Sequence, residues 1–105
     1  MREEFKMPLK SPKIYADFGK YDFEGRLILI CLGTKNDLIK HGLQFEPGKE
    51  FTFYMDSDID EFGNPDDLLV DGVVSFDSEN KRWVATIDEA TYRHESEERL
   101  RNLIK

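Results

Sequence analysis

The sequence predicts a mainly β (α+β) domain: a small five-stranded antiparallel sheet curled into a partly open barrel, with one short inserted helix and a C-terminal helix. Three observations predict it. Short runs alternate apolar with polar residues, the mark of half-buried strands. Turn-forming clusters, Pro47-Gly48 and Asp77-Ser78-Glu79-Asn80, punctuate those runs. The 105 residues, 39% hydrophobic and 35% charged, suit one domain with one modest core.

Residues 1–12 contain Pro8 and Pro12, mixed charge and no periodicity, and read as a flexible N-terminal arm before a single domain over 13–105. The first strand is Lys13 to Phe18, with Ile14, Ala16 and Phe18 on one face. Residues 19–25 form a polar turn that carries Tyr21 and Phe23. Arg26 to Leu32 is continuously apolar after Arg26, which predicts a central strand covered on both faces. Thr34, with Asp37 three residues on, predicts a capped helix over about 35–41. Gly42 fits its left-handed C-cap. His41 in the last turn is placed to complement the helix dipole.

Pro47-Gly48 then turns the chain into a strand from Glu50 to Asp56, with Phe51, Phe53 and Met55 on one face and Thr52 and Tyr54 on the other. Leu68 to Phe76 is the next strand. Its core face is Leu68, Val70, Val74 and Phe76, with Gly72 marking a bend or bulge on that face. Asp77 to Asn80 makes a compact turn in which Asn80 takes the left-handed conformation. Arg82 to Asp88, with Trp83, Ala85 and Ile87 on one face, completes a hairpin. Leu100, Leu103 and Ile104 share one helical stripe over about 95–104, begun by Glu95 or Ser96, with Glu97 four residues before Arg101. Together these predict a partly open barrel of SH3-like or OB-like kind, with an open meander packed on the terminal helix as the alternative. No motif is specific enough to assign a family.

The net charge of -7 is unevenly distributed. Residues 1–20 carry +2 and residues 93–105 carry +1, whereas residues 21–92 carry -10. An acidic body repels nucleic-acid phosphates and anionic membranes, so a nucleic-acid or membrane partner is not expected. Tyr15, Tyr21, Phe23 and Tyr54 offer stacking faces, but Asp17, Asp22, Glu24 and Asp56 interleave them rather than bases. Lys6, Lys10 and Lys13 of the arm are the residual route to a phosphate. Cys31 is the single cysteine. It excludes an internal disulfide and reads as a small buried hydrophobe. The N-terminus shows no apolar leader and no stretch is long enough to span a membrane, so a cytoplasmic protein is expected.

The densest chemical signal is the segment from Asp56 to Asp67. It holds Asp56, Asp58, Asp60, Glu61, Asp66 and Asp67 and no base. Set against a calcium loop, Asp56, Asp58, Asp60 and Asp67 fall at positions 1, 3, 5 and 12, and Phe62 offers its carbonyl at position 7. Glu61 at position 6, Gly63 at position 8 and the short Asp67 at position 12 depart from that pattern. A divalent-cation site for Ca²⁺ or Mg²⁺ on those four aspartates is therefore the alternative reading. The leading reading is a non-catalytic protein-interaction module with an acidic surface, docking a protein partner of basic character. Its contact residues are Tyr54, Phe62, Asp58, Asp60 and Asp66. No catalytic residue is assigned: His41 and His94 are the only histidines, and no nucleophile elbow is present. A weak enzyme of unknown class is the third reading.

Overall fold

The computed structural model describes residues 12–56 and 59–103. The elements run β1 (Lys13–Tyr15), β2 (Leu27–Ile28), α1 (Leu32–His41), β3 (Glu50–Met55), β4 (Leu68–Asp77), β5 (Arg82–His94) and α2 (Glu95–Leu103). The five strands form one sheet in the order β1-β3-β4-β5-β2, curled into a half-barrel. The predicted arm lies outside the described residues apart from Pro12. No helix among the described residues is long and apolar enough to cross a membrane.

The sheet is mixed, which corrects the antiparallel expectation. β1 runs parallel to β3, with Ile14 opposite Phe53, while the other pairings are antiparallel. Parallel neighbours need a long crossover. Residues 16–49 provide it, carrying the chain to β2 at the far edge and back through α1 before β3 begins.

The apolar run at 27–32 is likewise no central strand. β2 is two residues long and lies at the edge of the sheet. Leu27 and Leu29 point into the core, Ile30 is exposed, and Leu32 already belongs to α1. A short apolar run does not distinguish a strand from the start of a helix, and here it is both in turn. α1 therefore begins before its predicted cap, at Cys31, which is half-buried rather than buried. Thr34 and Asp37 are not spent on that cap. Gly42 ends the helix in the left-handed conformation at φ 66, as predicted.

The β4–β5 hairpin forms, with two differences. Lys81, not Asn80, takes the positive φ of 56, because the Asn80 side chain and amide are both donated to Asp77. β5 also continues past Asp88 to His94. The ladder slips between Leu69↔Arg93 and Asp71↔Asp88, so β5 carries a bulge. Thr91 fills it, accepting from the Asp71 amide at 2.9 Å and donating to the Asp88 carbonyl at 2.6 Å. The predicted bend near Gly72 is thus a bulge on the neighbouring strand.

Ile14, Ala16, Phe18, Leu27, Leu29, Phe51, Phe53, Val70, Val74 and Ala85 form the core. The predicted inward face of β1 and, of β3, Phe51 and Phe53 are among them, while Met55 is partly buried and packs against the cluster. Phe76 is half out of the core, its ring edge-on to Trp83 at 5.3 Å. Phe45 links Trp83 to Phe51, at 5.7 and 5.2 Å between ring centres. Leu69 faces the other way yet is fully buried, between Tyr54 on β3 and Arg93 on β5.

On that second face Arg93 organises a charged chain. It donates to Glu98 at 2.8 Å, to Asp71 at 3.3 Å and to the Thr91 carbonyl at 2.7 Å. Lys13 pairs with Glu98 at 3.4 Å, and Thr52 donates to Asp71 at 2.7 Å. These contacts tie α2 to β1, β4 and β5. Burial opposes ionisation of Glu98, but hydrogen bonds from Arg93 and the Lys13 charge hold it below the usual carboxylate range.

Candidate functional site

The β3–β4 connection is built from its two ends inward. Met55 pairs with Leu68, so Asp56 and Asp67 leave the ladder side by side. Asp67 is half-buried, and burial raises its pKa first. A hydrogen bond with Asp56 and the charges of Asp56, Glu95 and Asp66 push it further the same way. The neck of the loop is therefore a place where negative charge is crowded.

At the far end the chain closes into a knuckle. Ile59 bridges to Pro65, and the Asp60 amide donates to the Asn64 carbonyl at 2.8 Å. The Asp60 carboxylate accepts the amides of Phe62 and Asn64, each at 2.9 Å. This is the Asx-type turn that aspartate favours, and it occupies Asp60 with the backbone. The knuckle presents two apolar side chains to solvent: Ile59 is 66% and Phe62 79% exposed.

Asp66 turns the other way. It is 7% exposed and accepts both the Ser96 amide and hydroxyl, at 2.9 and 2.7 Å. The Glu95 amide donates to the Asp67 carbonyl at 2.8 Å. The loop thus caps α2, and hydrogen bonds from Ser96 hold Asp66 below the usual carboxylate range.

Beside the neck lies an open cleft of about 270 Å³, lined by Lys13, Asp37, Lys40, His41, Tyr54, Asp67 and Glu95. Tyr54 stands in it, donating to Asp37 at 2.8 Å and packed edge-on against Tyr15 at 5.7 Å. Burial, then the Asp37 hydrogen bond and the charges of Asp37, Asp56 and Asp67, push the Tyr54 pKa up to about 12. Tyr54 is therefore a neutral hydrogen-bond donor at ordinary pH.

The predicted site residues separate into three groups. Asp56, Asp67 and Tyr54 meet at the neck and cleft. Phe62 and Asp60 lie in the knuckle, one outward and one engaged. Asp66 is buried under α2, and Asp58 lies outside the described residues. Among the described residues no three His, Cys, Asp or Glu side chains are grouped to hold a metal ion.

The sequence reading missed Ile59, which doubles the apolar tip, and Lys13, Asp37, Lys40, His41 and Glu95 of the cleft. The cleft residues come from β1, α1 and α2. They meet because β1 runs parallel beside β3 and α2 returns to the loop, and no local pattern signals either event. Comparison of the chain with protein-family models, with curated proteins and with solved structures finds no match.

Proposed function

We propose that this chain is a non-catalytic protein-interaction module that docks a basic protein segment through the 56–67 connection. The observation that carries the reading is the pair of exposed apolar side chains, Ile59 and Phe62, on a knuckle fastened by Asp60. Apolar anchors on a preordered turn lose little conformational entropy on binding. The acidic residues of the connection, Glu61 at the tip, Asp56 at the neck and Asp58 next to Ile59 in sequence, favour a cationic partner and repel anionic ones. The reading also takes the half-barrel as a partly open barrel of SH3-like or OB-like kind. In support, the 16–28 segment bonds toward both ends of the sheet: Ala16 donates to Tyr54 on β3, and Lys20 accepts from Ile28 on β2.

The test is fluorescence anisotropy with labelled peptides that place one aliphatic or aromatic residue among lysines and arginines. Binding is expected to weaken with salt, and Phe62→Ala to weaken it at least tenfold. Asp58→Asn with Glu61→Gln is expected to flatten the salt dependence. Binding indifferent to both changes would overturn the reading.

The crowded carboxylates of Asp56 and Asp67 favour a second reading, in which Ca²⁺ or Mg²⁺ sits at the neck. Added cation then raises the melting temperature and EDTA reverses it. A flat titration to millimolar Ca²⁺ and Mg²⁺ excludes it.

A further inference from the structure

α1 packs on β1 and has two faces of opposite character. Its inner face is spent on the fold. The Thr34 hydroxyl donates to the Tyr15 carbonyl, and the Tyr15 amide donates to Asp37 at 2.9 Å, so these side chains close the outer edge of β1. Gly33 allows the approach, since a Cβ there would lie 2.9 Å from the Tyr15 ring. Leu38 packs against the core. On the outer face Leu32 and Ile39, seven residues apart, form one stripe, 72% and 78% exposed. Lys35 stands in that stripe and Lys40 flanks it, both exposed and neither in an ion pair among the described residues. Asp37, the one acid of the helix, is engaged on the inner side. Within a body of charge -10 over residues 21–92, α1 therefore presents an apolar stripe edged by positive charge.

The knuckle is the counterpart of that stripe. Ile59 and Phe62 are exposed, Glu61 between them is exposed as well, and residues 59–65 hold two acids and no base. We propose, resting on the reading of the knuckle as a docking site for a basic segment, that the segment it docks is the outer face of α1 in a second copy of this chain. Ile59 and Phe62 then cover Leu32 and Ile39, and Glu61 lies against the lysines. Charge complementarity favours this occupant, because the knuckle calls for an apolar residue among bases and α1 offers that arrangement. Both surfaces are exposed together, so neither covers the other within one chain. The contact joins unlike surfaces and is heterologous: it leaves each copy a second face, which either closes the pair or extends it. Two anchors a side make a small interface, so association belongs to high concentration.

Sedimentation of the whole chain from micromolar to millimolar concentration tests this in wild type, Phe62→Ala, Lys35→Glu/Ile39→Ser, and an equimolar mixture of the two variants. The wild type is expected to associate with concentration, and each variant alone, with native circular dichroism, to raise the Kd at least tenfold. The mixture holds one intact knuckle and one intact α1 face, and is expected to recover a one-to-one pair. A wild type that stays monomeric overturns the proposal, as does a mixture no more associated than its components. Should a variant not fold, amide chemical shifts of the wild type on dilution decide. Leu32, Lys35 and Ile39 are expected to move together with Ile59 and Phe62, and shifts confined to one set overturn the proposal. The basic peptides separate this partner from the reading it rests on. A monomeric wild type that binds them through Phe62 overturns the second copy alone, whereas a monomer that binds none overturns both.

Discussion

Asp66 holds Ser96 by two hydrogen bonds, to its amide at 2.9 Å and its hydroxyl at 2.7 Å, across 30 residues of sequence. A loop that reads as a solvent-facing acidic patch is thus the N-terminal anchor of the last helix. Asp66→Ala should lower the melting temperature by several degrees and increase amide exchange in α2 ahead of the sheet. The pH dependence has a definite sign. The folded pKa of Asp66 lies below its ordinary 3.8, so its contribution is present above pH 3.8 and is lost as pH falls through the folded value. A variant whose melting curve matches wild type at pH 7 would show that the cap does not stabilise the fold.

Asp67 has the opposite sign. Its pKa is raised above 3.8 in the folded state by burial and by Asp56, so ionising it opposes folding. Asp67→Asn should therefore raise the melting temperature at pH 7. The gain should shrink as pH falls through the folded pKa and vanish below about 3.8. Melting scans of both proteins from pH 3 to 8 check this, and a gain independent of pH would contradict it.

A side chain at Gly72 would be crowded. A Cβ would lie 3.1 Å from both the Ile87 Cγ2 and the Thr86 carbonyl oxygen, and the carbonyl belongs to the backbone of the paired strand. Gly72→Ala should destabilise the domain by about 1–3 kcal/mol in urea titration, as overpacking does. Unchanged stability would mean that β5 yields at this point.

Arg93 and Glu98 join β5 to α2 at 2.8 Å, with Arg93 largely buried against Asp71 and the Thr91 carbonyl. A double-mutant cycle with Arg93→Ala and Glu98→Ala should give a coupling energy of about 1–2 kcal/mol at low salt. The coupling should fall only modestly in 1 M NaCl, since partly buried pairs are weakly screened. Additive single effects would show that α2 docks by other contacts.

Phe62 is the converse case. Its exposure predicts that Phe62→Ala changes folding stability by no more than about 0.5 kcal/mol. A larger loss would place Phe62 in the fold rather than in a contact surface.

Much of the local structure was legible in the chain. The alternation of Ile14, Ala16 and Phe18, and of Phe51, Phe53 and Met55, identifies their inward faces because a strand repeats every two residues. Gly42 marks a helix end because it alone tolerates that backbone conformation without strain. The β4–β5 hairpin was legible for similar reasons, and α2 forms where its spacing predicts, although Leu100 and Leu103 of its apolar stripe are exposed. The run at 27–32 was not, since a buried strand and a helix start are equally apolar.

The sequence by itself determined a β-rich domain with its inward faces, its turns and an acidic connection between β3 and β4. These follow from periodicity and backbone preference, which act over a few residues. Tertiary structure alone decided that β1 lies parallel to β3, that Thr34 and Asp37 close the β1 edge rather than cap α1, and that Asp66 anchors Ser96. Each depends on which distant groups need a hydrogen-bond partner once buried. That need is set by how the chain packs, so one row of aspartates came to serve three different ends.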